Sequence, residues 1–386
     1  MNLYEEALLF SKEQIKWRRY LHQIPEIGTN VPKTIQFITR ELDAMNISYQ
    51  VFENSCIIAN IGFQEPCILL RADMDGLSGK EESGLNFASM NGCMHACGHD
   101  LHIANLLGAA KLLKQHEKEL NGSVKLLFQS GEEIFKGALD ALKFGVLENP
   151  KVEAAFAMHV FAMYDPNLIL TSLNPMASVY GFEITITGKG GHGSQPERCI
   201  DPIQSAVAIY QALNVLISKE CLPGTEAVLS IGQFSAGNAA NAIPETATLK
   251  GTLRSFTKEA SDYLIKRISE IVESVALSYR TKGEVKVLSN CPNLSCDEAF
   301  SLDCLESLHK VQPQMEVDQS LHLIGSEDFA FIAKEVPSCY FIIGGGVEDP
   351  SKRLGQHNPR ILFNEDSMSK ASSIYAQVAI DWLNKH

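Results

Sequence analysis

Residues 93–100 read CMHACGHD and place two cysteines, two histidines and an aspartate in eight positions. Thiolates and imidazoles bind borderline divalent ions, so this stretch offers a closed structural metal site or an open catalytic one. A redox thiol pair or a nucleophilic cysteine draws on the same residue types. Further ligand-type side chains stand far off in the chain: Asp73 and Asp75 in RADMD, Glu132 and Glu133 in LLFQSGEE, His159 in AFAMHV and His357 in GQHNPR. Each alone has an ordinary reading. A histidine in an apolar strand is usually a satisfied core residue, a glutamate pair usually a solvated helix start, and an aspartate in a turn usually bonds backbone. Together, however, they fall just after strands or at helix starts, with soft and borderline donors mixed as a two-metal hydrolase needs.

Strands and helices must carry these residues to one place. Apolar spacing predicts helices over 4–21 and 33–45, strands over 56–63, 67–75, 123–129 and 154–160, and a helix from 101. This rhythm predicts a three-layer α/β domain, in which working residues collect beyond the carboxyl ends of strands. The character changes near 178. YGFEITITGKG, a helix with Pro202 near its first turn, AVLSIGQF, ATLKGTLRSF, an amphipathic helix over 259–280 and EVKVLS follow in β-α-β-β-α-β order. That order predicts a ferredoxin-like α+β domain inserted into the larger one. The predicted catalytic domain comprises 1–177 and 290–386, where α/β character returns with CYFIIGG and a final helix over 366–383; the insert spans 178–289.

Composition narrows the functional classes. The 45% hydrophobic and 20% charged residues form an ordinary globular balance. A net charge of -13 without a basic patch repels a phosphate backbone, so nucleic acid is not an expected partner. No run approaches the roughly 18 apolar residues of a membrane span. The start MNLYEEALLF is acidic where a signal peptide is basic, and the ten cysteines are irregularly spaced. A reducing, cytoplasmic compartment is the expectation, with most thiols simply buried.

The segments RRYLHQIPEIG, LLRADMDGL, MHACGHDLH, LLFQSGEE, GKGGHGSQPE, NAIPETATLKGTLRSF, GSEDFA and QHNPRILFNED resemble, in order and almost end to end, the amidohydrolase subgroup of the M20 metallopeptidase family. The resemblance implies a dinuclear site with Cys97 bridging two divalent ions and His99, Glu133, His159 and His357 completing it. Zinc, manganese, cobalt and nickel all tolerate such donors. It implies Glu132 as the general base, with Asp73 and Asp75 supporting the ligands from behind. Neighbouring side chains in non-helical backbone point apart, so Glu133 would bind metal while Glu132 meets water. Cys93 and His95 are left as supporting residues.

From the insert, the resemblance implies that His192 reaches into a partner subunit's site to stabilise the oxyanion, so that the insert serves as lid and homodimer interface. Asn241 and Arg254 match the substrate-binding pair; a guanidinium suits the carboxylate of an N-acyl amino acid, although a surface ion pair is an equal reading of Arg254. Relatives commonly carry proline and alanine where this chain has Ser130 and Gly131. The implied reaction is cleavage of N-acyl amino acids to a carboxylic acid and a free amino acid. A dipeptidase or carboxypeptidase, and a catalytically inactive ligand-binding relative, are the alternatives within the resemblance. A structural zinc module would need residues 93, 95, 97 and 99 to close on one ion, which alternate spacing on one strand disfavours.

Overall fold

The strand Cys67–Asp73 is buried along its whole length yet carries side chains of two kinds. Ile68, Leu70 and Ala72 enter the main apolar core, while Arg71 and Asp73, on the alternate phase of the pleat, are ion-paired at 2.9 Å. A central sheet strand with one apolar and one polar phase delivers charged residues to a fixed place without giving up the core. The computed structural model describes residues 2–386, and in it this strand lies inside an eight-stranded mixed sheet. The order from edge to edge is Ser48–Phe52, Cys56–Ile61, Ser123–Gln129, Cys67–Asp73, Val152–Phe161, Ser338–Gly344, Leu168–Leu170 and Glu316–Asp318. Cys67–Asp73 runs parallel to both neighbours, so Gln129 and Asp73 end level with each other.

The helix His99–Gln115 is buried on nearly every side, with Leu101, Ile103, Leu106, Leu107 and Leu112 fully enclosed. A helix apolar all round belongs in the middle of a layer, and this one packs against Ser11–His22, Ser367–Lys385 and the strand Cys67–Asp73. Its first turn is fixed by Gly98, whose φ of +94 is left-handed and whose Cβ, if present, would lie 2.6 Å from Val160 Cγ1. Only glycine meets both demands. The helix therefore starts at His99; apolar periodicity alone places the start at 101 because the first turn is polar. The predicted helix over 4–21 is two helices, Leu3–Leu9 and Ser11–His22, broken at Phe10 so that Leu3, Ala7 and Phe10 reach the same core as Trp17 and Leu21.

The chain divides into two compact units. The first takes the chain up to Pro175, Ser295–Leu321 and Asp328–His386; the second takes Met176–Leu294 and His322–Glu327. The second is a four-stranded antiparallel sheet in the order Ala227–Ala236, Thr246–Ser255, Val179–Thr187, Lys282–Cys291, with the helices Pro202–Glu220 and Lys258–Ser278 packed on it. That is the ferredoxin-like order expected for the insert. Its extent differs from 178–289, because His322–Glu327 joins it: Ala177 N donates to Leu323 O at 3.0 Å and Arg254 Nη1 to Ile324 O at 3.1 Å. No local pattern announces such a return of the chain.

Candidate metal centre

Two buried histidines have their ring orientation fixed by a carbonyl. His99 Nδ1 donates to Asp75 O at 2.7 Å and His159 Nδ1 to Val160 O at 2.9 Å. A carbonyl only accepts, so each proton sits on Nδ1 and each Nε2 lone pair is left to bind elsewhere. His159 Nε2 faces Cys97 Sγ at 3.4 Å. His357 Nε2 and His99 Nε2 lie 3.4 Å and 3.9 Å from Glu133 Oε1, without the geometry of a hydrogen bond to it. The donor atoms of Cys97, His99 and His159 all lie within 4.8 Å of one another, as do those of Cys97, Glu133 and His357. Cys97 is common to both groups. His357 takes φ +69, a left-handed backbone costing a non-glycine residue about 1–3 kcal/mol, and its N–H is held by Ala96 O at 2.9 Å.

Both glutamates hang from one carboxylate. Asp75 Oδ1 accepts from Glu132 N at 3.0 Å and Oδ2 from Glu133 N at 3.2 Å. Glu132 then enters a turn, its carbonyl accepting from Phe135 N at 2.8 Å. The turn corrects the expectation that the two side chains diverge: His99, Glu132 and Glu133 bring ligand atoms within 4.8 Å of one another. Just upstream, Ser130 N and Oγ both donate to Ser55 O, at 2.9 and 2.7 Å. A proline at 130 could supply neither bond, and Gly131 at φ +81 would set a Cβ 2.7 Å from Thr29 Cγ2. The Ser-Gly pair thus belongs to a locally different way of holding the same turn.

Charge is crowded here. Burial, then Glu133, Glu132 and Asp73, push the Cys97 thiol well above its ordinary range. Burial pushes Asp75 up to about 6. Burial pushes His99 down, but Asp73, Glu133 and Asp75 more than offset it, so its pKa is raised. For Glu133, burial is overcome by His357 and His99, and the carboxyl is lowered. His99 Nε2 and Glu133 Oε1 are buried with no hydrogen-bond partner. A thiol, imidazoles and carboxylates that converge, repel one another as anions and leave donor atoms unsatisfied fit divalent cations.

In a second ligand-type trio, Asp73, His99 and His102, the Asp73 carboxylate and the His102 ring are already committed to hydrogen bonds. His102 Nδ1 donates to Asp73 Oδ1 at 2.5 Å, His102 Nε2 accepts from Val160 N at 2.9 Å, and Arg71 Nη1 donates to Asp73 Oδ2 at 2.9 Å. His102 escaped sequence reasoning, although its place three residues after His99 puts both on one helix face. Behind it, Arg71 Nη2 also reaches Asp328 Oδ1 at 2.9 Å. His95 stands outside these groups: its ring is buried 6.5 Å from that of His22, with neither nitrogen hydrogen-bonded. Cys93 is a half-buried free thiol.

The remaining candidates lie in the second unit. Gly191–His192 pairs with Ala242–Ile243, and Gly193 N donates to Asn241 O at 2.8 Å, so His192 and Asn241 are neighbours there. His192 is exposed, and its Nδ1 accepts from Ser194 N at 3.2 Å, which puts the ring proton on Nε2. Arg254 Nη1 donates to Ser326 Oγ at 3.0 Å and to Ile324 O at 3.1 Å, and among the described residues it makes no ion pair.

Residues 69–381 match the model of peptidase family M20/M25/M40. An N-acetylcysteine deacetylase of Bacillus subtilis (strain 168) is 35% identical over 379 residues, covering 96% of this chain and 97% of its own length. An IAA-amino acid hydrolase of Arabidopsis thaliana is 34% identical, covering 96% of this chain and 85% of its own. Among solved structures, a dinuclear metal-binding M20 peptidase of Bacillus subtilis superposes with a TM-score of 0.83 at 32% identity, covering 98% of this chain and 99% of that one. The chain belongs to peptidase family M20/M25/M40 and is a metal-dependent hydrolase of amide bonds.

Proposed function

We propose that the protein hydrolyses N-acyl amino acids to a carboxylic acid and a free amino acid at a dinuclear centre held by Cys97, His99, Glu133, His159 and His357. The observation that carries this reading is the convergence of those donor groups, joined through Cys97, beside the buried Glu132. When bound, divalent ions supply Lewis acidity for the amide carbonyl and acidify the attacking water. Glu132 takes the proton as the water oxygen bonds the carbonyl carbon, then returns it to the amide nitrogen as the carbon–nitrogen bond breaks. Asp75 fixes the turn that aims Glu132, and Asp73 braces His102 behind the cluster. His192, with its proton on Nε2, donates to the oxyanion, and does so from a partner subunit. Arg254 and Asn241 receive the free carboxylate of the amino acid; a guanidinium with no ion pair among the described residues supports that role.

The names of the relatives support the substrate class. Dimerisation through the insert is supported by Val207 and Tyr210 on the helix Pro202–Glu220 and by Val228 and Phe234 on the edge strand Ala227–Ala236, all exposed apolar side chains. Ten free cysteines support a reducing, cytoplasmic compartment. The test is a hydrolysis panel of N-acetyl, N-benzoyl and longer acyl amino acids alongside dipeptides, run on metal-depleted and metal-restored enzyme. Turnover of acyl amino acids that vanishes with the metal and returns with it is expected. Preference for dipeptides would replace the substrate class, and metal-independent turnover would remove the centre from the reaction.

A further inference from the structure

The residue before His357 has a carboxamide whose hydrogen bonds all reach other segments. Gln356 Nε2 donates to Cys97 O at 2.8 Å and to Val160 O at 2.9 Å, and its Oε1 accepts from Ala162 N at 3.3 Å. The orientation of this amide is fixed by its partners: a flipped group would set its oxygen against two carbonyl oxygens. Val160 O also accepts from His159 Nδ1 at 2.9 Å, and Val160 N is held by His102 Nε2 at 2.9 Å. Val160, whose carbonyl sets the His159 ring, is therefore held at both its N–H and its C=O. One side chain thus joins the peptide of Cys97 to the peptide that orients His159. Its own backbone leads straight into the left-handed His357.

We propose that Gln356 is a positioning residue that sets the spacing of Cys97, His159 and His357 and thereby the affinity of the metal centre. The proposal rests on the reading of those three residues as ligands. The amide has two N–H groups, and each is spent on a carbonyl of a different ligand-bearing segment. Glu133 is tethered separately, through Asp75, so loss of Gln356 loosens part of the donor set and leaves the rest in place.

The test uses full-length protein stripped of metal and titrated with cobalt(II), read by stoichiometry and by the thiolate-to-cobalt charge-transfer band, with unfolding temperatures measured without metal. Gln356→Leu removes both donors at similar volume. Gln356→Glu keeps the shape but turns a second oxygen toward the two carbonyls. Both are expected to weaken cobalt binding by about 10–100-fold, the scale of lost outer hydrogen bonds at metal sites, and to shift or weaken the band. The metal-free unfolding temperature should stay near that of the unaltered protein. Unaltered cobalt affinity and band in either variant overturns the proposal, as does a large drop in metal-free stability with unchanged affinity. Cys97→Ala is measured in parallel; if it keeps the band, the ligand assignment itself fails, and that failure is distinguished from one confined to Gln356.

Discussion

The sulfur of Cys97 lies 3.4 Å from Nε2 of His159, although 62 residues separate them in the chain. Their meeting depends on Gly98, the one residue type that allows the Cys97 loop to pass so close to Val160. Cys97 is also grouped with Glu133 and His357, so it is the donor that two ions would share. Cys97→Ala should therefore weaken the binding of both ions, by at least about 10–100-fold, as judged by metal analysis after dialysis. Full occupancy by both would rule out the bridging role.

Asp75 holds the amides of Glu132 and Glu133 with one carboxylate and the His99 ring with its own carbonyl. Asp75→Asn keeps the shape but sets an N–H₂ against one of the two amides. A stability loss of about 1–3 kcal/mol is expected from the unsatisfied buried donor. Turnover should fall by about 10–100-fold as Glu132 loses its aim. Denaturant unfolding and kinetics check the two effects separately; wild-type values in both would show the clasp to be incidental.

His22 offers a pH test away from the ligands. Its Nδ1 lies 2.8 Å from Asp100 Oδ2 and its Nε2 3.0 Å from Glu81 Oε1, so only the imidazolium can donate to both. Burial lowers its pKa, but Asp100 and Glu81 more than offset this and the net shift is upward, with Arg18 opposing. A raised folded pKa means the pair's stabilisation is complete below the unfolded value of about 6.5 and is lost as pH rises through the folded one. The gap in unfolding temperature between the unaltered protein and His22→Gln should be widest in mild acid and narrow as the pH rises through the raised pKa of the folded state. A gap independent of pH would mean the charge on His22 contributes nothing.

His192→Ala should impair the chemical step with little change in metal content, since the residue belongs to the second unit. If the protein dimerises as proposed, mixing it with Glu132→Gln protein gives hybrids in which one site has both residues when His192 works across subunits. Activity in the mixture that neither parent has is the expected result. Its absence would confine His192 to its own chain or remove it from the reaction.

Much of this site is legible in the sequence because its donors are chemically unusual for their places. A thiol before a buried helix, a histidine in an apolar strand and a glutamate pair after SVKLLFQ each stand out against the elements that carry them. The strands Ser123–Gln129 and Cys67–Asp73 are buried along their whole length, and their carboxyl ends mark where the chemistry collects. What sequence does not reveal is which polar groups satisfy one another. His102 and Asp73 bond across 29 residues, and Arg71 reaches Asp328 across 257. Gln356 reads as one more polar loop residue until its amide is seen between two carbonyls. The left-handed position at 357 is filled by a histidine, not by the glycine or asparagine that would announce it, and the return of His322–Glu327 to the insert rests on bonds such as Ala177 N to Leu323 O and Arg254 Nη1 to Ile324 O that no local pattern signals.

In the proposed reaction Glu132 moves the proton for amide hydrolysis beside a metal cluster that it does not itself hold. Glu132→Gln tests both halves on one sample, by metal analysis and by turnover of N-acetyl amino acids. An unchanged metal content is expected, with turnover lower by about 10²–10⁴-fold, the usual contribution of a positioned general base. Near-normal turnover with the metal in place would contradict it.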